Sequence, residues 1–141
     1  MSASSTEAIL VALFNRQGDW PQYTAIDEHA DNHLELHLHV PASLACFAGH
    51  FPPQPVLPGV LQLHWVCQIA EAVLGYVDFS GVGNIKYNSM LMPNSECRLL
   101  IKPGDTSVRF RIEAGDTLIT TGSISYRSRS QPPQSKPQAL A

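Results

Sequence analysis

The chain has 141 residues, of which 44% are hydrophobic, 15% charged and 8% aromatic, and this composition is typical of one soluble globular domain. A chain of this length buries roughly 70% of its unfolded surface, so it can form a core without disulfides or a structural metal. The three cysteines (Cys46, Cys67, Cys97) form no CxxC pair, which indicates free thiols. The early apolar run 8–14 is much shorter than the ~20 residues that span a bilayer, and Glu7 stands where a secretory signal is basic. We therefore expect a cytoplasmic protein without membrane insertion.

Charge is distributed unevenly along the chain. The formal net charge is -3, but residues 1–83 carry -7 and residues 84–141 carry +4. The basic half is able to dock an acidic partner, although scattered solubilising charge on strand faces explains the same residues. Because the basic residues neither form a run nor alternate with aromatics, we expect no nucleic-acid partner.

The first half of the chain predicts one helix and two strands. Apolar residues recur at helical spacing over residues 6–16, and Gly18 follows the end of this short amphipathic helix. Between Tyr23 and Val40 the period changes to two, which predicts two strands broken near residues 30–32. Residues 45–59 are rich in Gly and Pro and predict a rigid, irregular loop.

The second half predicts a long helix and four strands. The helix runs from Val60 to Leu74, with Pro58 in its first turn and Gly75 as its stop, and it is apolar on most sides, so we expect it to be buried. Segments of strand character follow at about 84–91, 96–103, 106–114 and 117–127, separated by turn residues, and predict an antiparallel meander.

Together these elements predict an α+β fold of one domain over residues 1–127, in which a curved antiparallel sheet of about six strands wraps a long central helix. Residues 128–141, dominated by Ser, Gln and Pro, predict a disordered tail. Periodicity leaves the order of the strands open.

His50 is the main candidate for acid-base chemistry. It lies in the Gly- and Pro-rich loop, where a stiffly held imidazole suits a general base; a histidine that stacks in the loop and bonds to backbone is the structural alternative. The helix that begins at Gly59 has free N–H groups at the positive end of its dipole. If His50 lies beside that end, a thioester carbonyl could be polarised there while the imidazole removes the neighbouring proton; an ordinary proline-capped helix is the alternative.

A polar stripe follows one side of the long helix. His64, Gln68 and Glu71 are spaced at i, i+4 and i+7, which places them within a sector of ~60°. Because an unpaired buried polar group costs about 1–3 kcal/mol, the stripe must face water, a ligand cavity, a subunit interface or the sheet backbone.

Two other patterns are weaker indications of a functional site. The alternating residues His33, Glu35, His37 and His39 have spacing that could hold a metal, but an outward polar strand face explains them better. Cys67 is expected to behave as a small buried hydrophobe rather than as a nucleophile. With no phosphate loop or dinucleotide fingerprint in the sequence, we expect neither a metal nor a cofactor.

The run from Phe47 to Leu61, FAGHFPPQPVLPGVL, closely resembles the active-site segment of the hot-dog-fold 3-hydroxyacyl-[acyl-carrier-protein] dehydratases of fatty acid synthesis, the FabZ- and FabA-like enzymes. It joins a GHFP element, a second proline and a PGVL helix start in the family's order, and Gln68 falls where the family has Gln. The stretch 90–93 and the strands after it are similar too, so the resemblance covers about residues 20–127. Among these enzymes the chain is most similar to the ApeI-like branch of aryl polyene clusters.

The resemblance implies a homodimer, or a multiple of dimers, with the acyl chain in a tunnel at the dimer interface. It implies loss of water from a 3-hydroxyacyl thioester on an acyl carrier protein to give the trans-2-enoyl product. His50 would take the C2 proton and the Gly59 N–H would hold the thioester oxygen, with Phe51, Val60 and Gln68 also lining the substrate site.

In the family an acid on the partner subunit's helix protonates the departing hydroxyl, and it belongs fourteen residues after the histidine. Here that position is His64. Three outcomes follow: His64 acts as an imidazolium acid while His50 stays neutral, Glu71 supplies the proton through water, or the chain binds acyl thioesters without dehydrating them. A hot-dog acyl thioesterase and a non-catalytic acyl-carrier-binding protein are therefore the alternatives to a dehydratase.

Overall fold

Helices and strands occupy most of the residues that the computed structural model describes, which are residues 3–28, 33–48 and 56–130. In chain order the elements are α1 (Ala3–Phe14), β1 (Gln22–Glu28), β2 (Leu34–His39), a 3-10 turn (Ala45–Ala48), α2 (Gly59–Leu74), β3 (Tyr76–Tyr87), β4 (Glu96–Pro103), β5 (Ser107–Ala114) and β6 (Thr117–Arg129). No helix within the described ranges has the length and hydropathy that crossing a membrane requires.

The six strands form one antiparallel sheet in the order β1-β2-β4-β5-β6-β3. Strict alternation along β2 and β4 buries one face, where Leu36 and Leu99 pack in the core with Trp65 and Ile69 of α2. Period-two hydrophobicity on strands and a buried helix face therefore produce a single core between sheet and helix. The predicted α+β fold with a six-stranded antiparallel sheet and one long helix is confirmed.

Helix α2 buries one face rather than most of its surface. Trp65, Val66 and Ile69 are buried, whereas the side chain of Val60 is 74% exposed and His64 is exposed. The sheet of a single chain covers only one side of the helix, which is why the expected burial on most sides is not reached. The predicted stop at Gly75 is confirmed, because this residue has a left-handed φ of 82° and its N–H bonds to the Ala70 carbonyl.

Strand β3 begins eight residues before the predicted position, directly after Gly75. It contains Asp78 and Asn84, both with positive φ, and its register with β6 shifts twice, so local propensity does not reveal the strand. Pairing with β6 supplies the order that the local sequence does not. For the same reason β6 continues to Arg129, opposite Tyr76, instead of ending at residue 127; residues 131–141 lie outside the described residues.

Candidate functional site

The start of α2 presents two backbone donors. Pro58 precedes the helix with φ -61° and ψ 143° and makes no side-chain cap, and its carbonyl oxygen accepts from the N–H groups of Leu61 (3.1 Å) and Gln62 (3.3 Å). In the described part of the chain, the N–H groups of Gly59 and Val60 have no acceptor. At the positive end of a four-turn helix, these two donors can hold a negatively charged oxygen.

Gly59 is required by a close neighbour. A Cβ atom at this position would lie 2.5 Å from Cζ, 2.6 Å from Cε1 and 2.8 Å from the phenolic oxygen of Tyr87. These separations are shorter than van der Waals contact, so a larger residue would displace the ring. The last residue of β3 therefore lies directly against the first residue of α2.

A buried hydrogen bond fixes the helix start to the sheet. The Thr120 hydroxyl donates to Gln62 Oε1 at 2.6 Å, and the two residues are 0% and 2% exposed. Thr120 is also the β6 partner of Tyr87 in the sheet register. Sequence reasoning missed Gln62, although its position three and four residues before Trp65 and Val66 places it on the apolar face, where a polar side chain needs a partner.

The three members of the polar stripe contact three different groups. The His64 ring is 5.3 Å from the Trp20 ring between centroids, and Gln68 Oε1 accepts from Arg16 Nη1 at 3.3 Å. Glu71 Oε2 accepts from the Tyr126 hydroxyl at 3.2 Å. The stripe exists, but the structure does not bring its members into one cluster.

Glu71 is poorly placed to act at the helix start. It follows His64 by seven residues, so it lies ~10 Å further from the helix start along the axis, at 1.5 Å per residue. Its carboxylate is engaged by Tyr126, whose hydroxyl also lies 3.3 Å from the Cys67 carbonyl. Burial, followed by the neighbouring Cys67 and Glu71, raises the pKa of Tyr126 far above its usual range, so the phenol stays protonated and holds Glu71 in place.

The cysteines offer no thiolate near neutral pH. Burial, with a smaller contribution from Asp19, raises the pKa of Cys46 to about 11, and burial together with Glu96 raises that of Cys97 to about 12. Burial also raises the pKa of Cys67. Since the thiolate is the nucleophile, Cys67 is not the reactive group of this site.

The outward histidines of β2 belong to an ion-pair network. His37 Nε2 is 3.2 Å from Glu35 and 3.6 Å from Asp27, and these three residues place possible ligand atoms within 4.8 Å of one another. The guanidinium of Arg98 lies 3.9 Å from Glu35 and also pairs with Glu113. Because the Arg98 guanidinium already supplies positive charge beside these carboxylates, we assign the network to surface charge pairing rather than to a metal site.

A basic groove of about 870 Å³ crosses the sheet face opposite α2. Its cationic lining residues are Lys86, Lys102, Arg109 and Arg111. Arg111 pairs with Glu113 at 2.7 Å, but among the described residues the other three cations have no ion-pair partner. Four of the eight cations of residues 84–141 therefore line one surface, which Glu35 also lines.

His50 and Phe51 lie outside the described residues. Their assignment to the site remains a prediction from sequence, as do the substrate-binding roles of Gly59, Val60 and Gln68. Of the candidate site, the structure describes the start of α2 and the residues around it.

A long helix on one face of a six-stranded antiparallel sheet defines a hot-dog-fold protein, and solved structures of this class are similar to the chain. The dehydratase heterocomplex ApeI:P from Xenorhabdus doucetiae matches with a TM-score of 0.69 and 30% identity, over 74% of this chain and 96% of that one. An uncharacterized protein from Erwinia carotovora subsp. atroseptica matches with a TM-score of 0.63 and 31% identity, over 82% of this chain and 98% of that one.

The family model described as ApeI dehydratase matches residues 26–123, and the chain belongs to this ApeI-like family. The predicted resemblance is confirmed. A curated relative, the 3-hydroxyacyl-[acyl-carrier-protein] dehydratase FabZ of Rickettsia canadensis, is 40% identical over 60 residues, which is 43% of this chain. The match spans about two fifths (41%) of that relative's length.

Proposed function

We propose that the chain dehydrates 3-hydroxyacyl thioesters on an acyl carrier protein to trans-2-enoyl thioesters, in fatty acid or aryl polyene type biosynthesis in the cytoplasm. The observation that carries this proposal is the start of α2, where the N–H groups of Gly59 and Val60 are free of acceptors within the described residues. A developing negative charge on a thioester oxygen is what such donors stabilise. Membership of the ApeI-like family supports the same reaction.

In the proposed reaction the imidazole of His50 removes the proton from C2 while the thioester oxygen takes up negative charge beside the Gly59 N–H. The electrons of the C2–H bond form the C2–C3 double bond, and the C3 hydroxyl leaves with a proton from His64 as water. A proton thus moves from C2 to His50 and another from His64 to the hydroxyl. Solvent returns both histidines to their starting states.

His64 is the better candidate for the proton donor. It is exposed on its own chain and lies five residues after Gly59, so a second subunit can approach it, whereas Glu71 is engaged by Tyr126 further along the helix. To donate a proton, His64 must be an imidazolium while His50 is neutral.

The exposed edge of the sheet supports a dimer. β3 is the edge strand beside β6, and Val77, Phe79 and Val82 on it are exposed, as is Val60 at the helix start. An apolar, unpaired edge is a surface that a second chain covers. We infer a homodimer; because the Xenorhabdus relative is a heterocomplex, a complex with a different second chain is the alternative result. Sedimentation of the purified chain at micromolar concentration separates these from a monomer.

The basic groove supports docking of an acidic carrier protein. Lys86, Lys102 and Arg109 are cations without ion-pair partners in the described part of the chain. Carrier affinity should fall as salt is added, since ions screen a charged interface. The variant Lys102→Gln/Arg109→Gln should weaken binding, while Arg127→Gln, an exposed cation outside the groove lining, serves as the matched control.

The decisive assay is incubation with a 3-hydroxyacyl carrier protein, followed by enoyl absorbance and intact mass. Loss of one water supports the proposal, release of free acid indicates a thioesterase, and binding without change indicates a carrier-binding protein. His50→Ala should abolish turnover, and His64→Ala should lower it by the roughly 10²–10⁴-fold typical of general acid-base groups, with His64→Glu keeping a substantial part. His39→Ala, which removes a histidine bonded to Glu96 on the outer sheet face, is the control and should be neutral.

A further inference from the structure

The phenolic hydroxyl of Tyr87 lies beside the helix start. It is 2.8 Å from the point where a Cβ of Gly59 would stand, so the hydroxyl borders the residue whose N–H is the proposed oxyanion donor. In the described part of the chain this hydroxyl makes no hydrogen bond, and the side chain is 51% exposed. Within the described residues, a free O–H donor therefore lies next to Gly59, whose N–H is the proposed oxyanion donor.

Three contacts fix the position of this hydroxyl. Tyr87 pairs with Thr120 across the β3–β6 ladder, and the Thr120 hydroxyl is bonded to Gln62 in the first turn of α2. The ring of Tyr87 rests on Gly59. Strand β3, the first turn of α2 and the Tyr87 ring are thus connected to one another, so the sheet, rather than the rotamer preference of Tyr87 alone, holds the hydroxyl near the helix start.

We propose that Tyr87 is a further catalytic residue, whose O–H donates a hydrogen bond to the thioester oxygen together with the Gly59 N–H. The inference rests on the proposed function and deepens it. A donor held in advance near a developing oxyanion acts mainly on the transition state, so it raises kcat more than it tightens substrate binding. This role also explains why the space above Gly59 is filled by a tyrosine ring, because the ring brings its hydroxyl to the helix start.

The test compares Tyr87→Phe with Tyr23→Phe, which removes a phenolic hydroxyl from a ring that packs near Phe14 at a centroid distance of 6.4 Å. Tyr87→Phe should lower kcat by roughly 10²-fold with little change in KM, the effect known for loss of one oxyanion donor. Its melting temperature should equal that of the wild type, since the ring remains. Tyr23→Phe should leave both kinetic constants unchanged.

A second measurement decides the inference independently of turnover. With tyrosine labelled at Cζ, binding of crotonyl-pantetheine, a soluble enoyl thioester, should shift the Tyr87 signal, assigned as the signal missing in Tyr87→Phe. A wild-type chain that forms no enoyl product would refute the proposed function but would leave this shift as evidence for the donor. Equal kcat in wild type and Tyr87→Phe, or a Tyr87 signal that crotonyl-pantetheine does not move, would overturn the inference.

Discussion

The buried bond between Thr120 and Gln62 makes a quantitative prediction. Thr120→Val removes the hydroxyl and keeps the branched shape, so Gln62 Oε1 loses its partner at a site that is 2% exposed. A buried polar atom without a partner costs about 1–3 kcal/mol. The free energy of unfolding should therefore fall by about that amount, and Gln62→Leu should act in the same direction because it leaves the Thr120 hydroxyl unpaired.

The double variant Gln62→Leu/Thr120→Val removes both polar groups together. Replacing both partners by apolar groups of similar shape is close to neutral, so the loss in the double variant should be smaller than the sum of the two single losses. The coupling between the sites should be about 1–2 kcal/mol, within the range for residues in direct contact.

Urea unfolding of the four proteins at one fixed protein concentration measures this coupling, since association would otherwise shift the midpoints. Thr121→Val, on the neighbouring half-buried position of β6, is the control and should change stability by less than about 0.5 kcal/mol. Single losses that simply add in the double variant would show that the hydrogen bond does not stabilise the helix start.

Two further predictions concern the stability of the core. Burial raises the pKa of Cys97 to about 12 in the folded chain, against 9.0 in the unfolded chain, so the folded state retains the thiol proton to higher pH. The contribution of this thiol to the free energy of unfolding is fully present below pH 9. It is lost by about 1.4 kcal/mol per pH unit as the pH rises from 9 toward 12. Urea unfolding on both sides of pH 9 should show a smaller alkaline loss in Cys97→Val; an equal loss would contradict the buried thiol as its source. Gly122→Ala would press a methyl group against Ile85 Cδ1 and bring it within 3.2 Å of the Phe110 ring, which should cost about 1–3 kcal/mol in thermal unfolding. Ile85→Val should recover part of this loss, and full additivity would argue against the contact.

The parts of the fold that could be predicted are those where local pattern and tertiary environment agree. In β2, Leu34, Leu36 and Leu38 alternate with polar residues, and burial alternates in the same way. In β3 they disagree: Asp78 and Asn84 adopt positive φ, and most of the strand is exposed. An edge strand with irregular register has neither a buried stripe nor a continuous ladder to leave a period in its sequence, so its first eight residues fall outside the predicted strand.

The candidate site also has a part that the sequence predicts and a part that only the fold brings together. A segment with Pro58 and Gly59 at a helix start predicts free N–H groups from chain geometry alone, and the structure has them within its described residues. Tyr87 and Thr120 are brought to that helix start by pairing between β3 and β6, which connects positions 28 to 61 residues away from Gly59 in the sequence. Without the strand order, no spacing rule could associate them.

His64 stands where the family that the sequence resembles has an acid. A carboxylic acid donor and a neutral imidazole base coexist without conflict, whereas two imidazoles in one site must hold opposite protonation states for turnover. His64 is exposed on its own chain and borders Trp20, so in the proposed homodimer the second subunit would supply the rest of its surroundings. Gly59, Gln62 and Thr120 are fixed within one subunit and are therefore complete before association. In the proposed dimer, the proton donor is the part of the site that association would have to create, so a departure from the family residue could be compensated there by the partner chain.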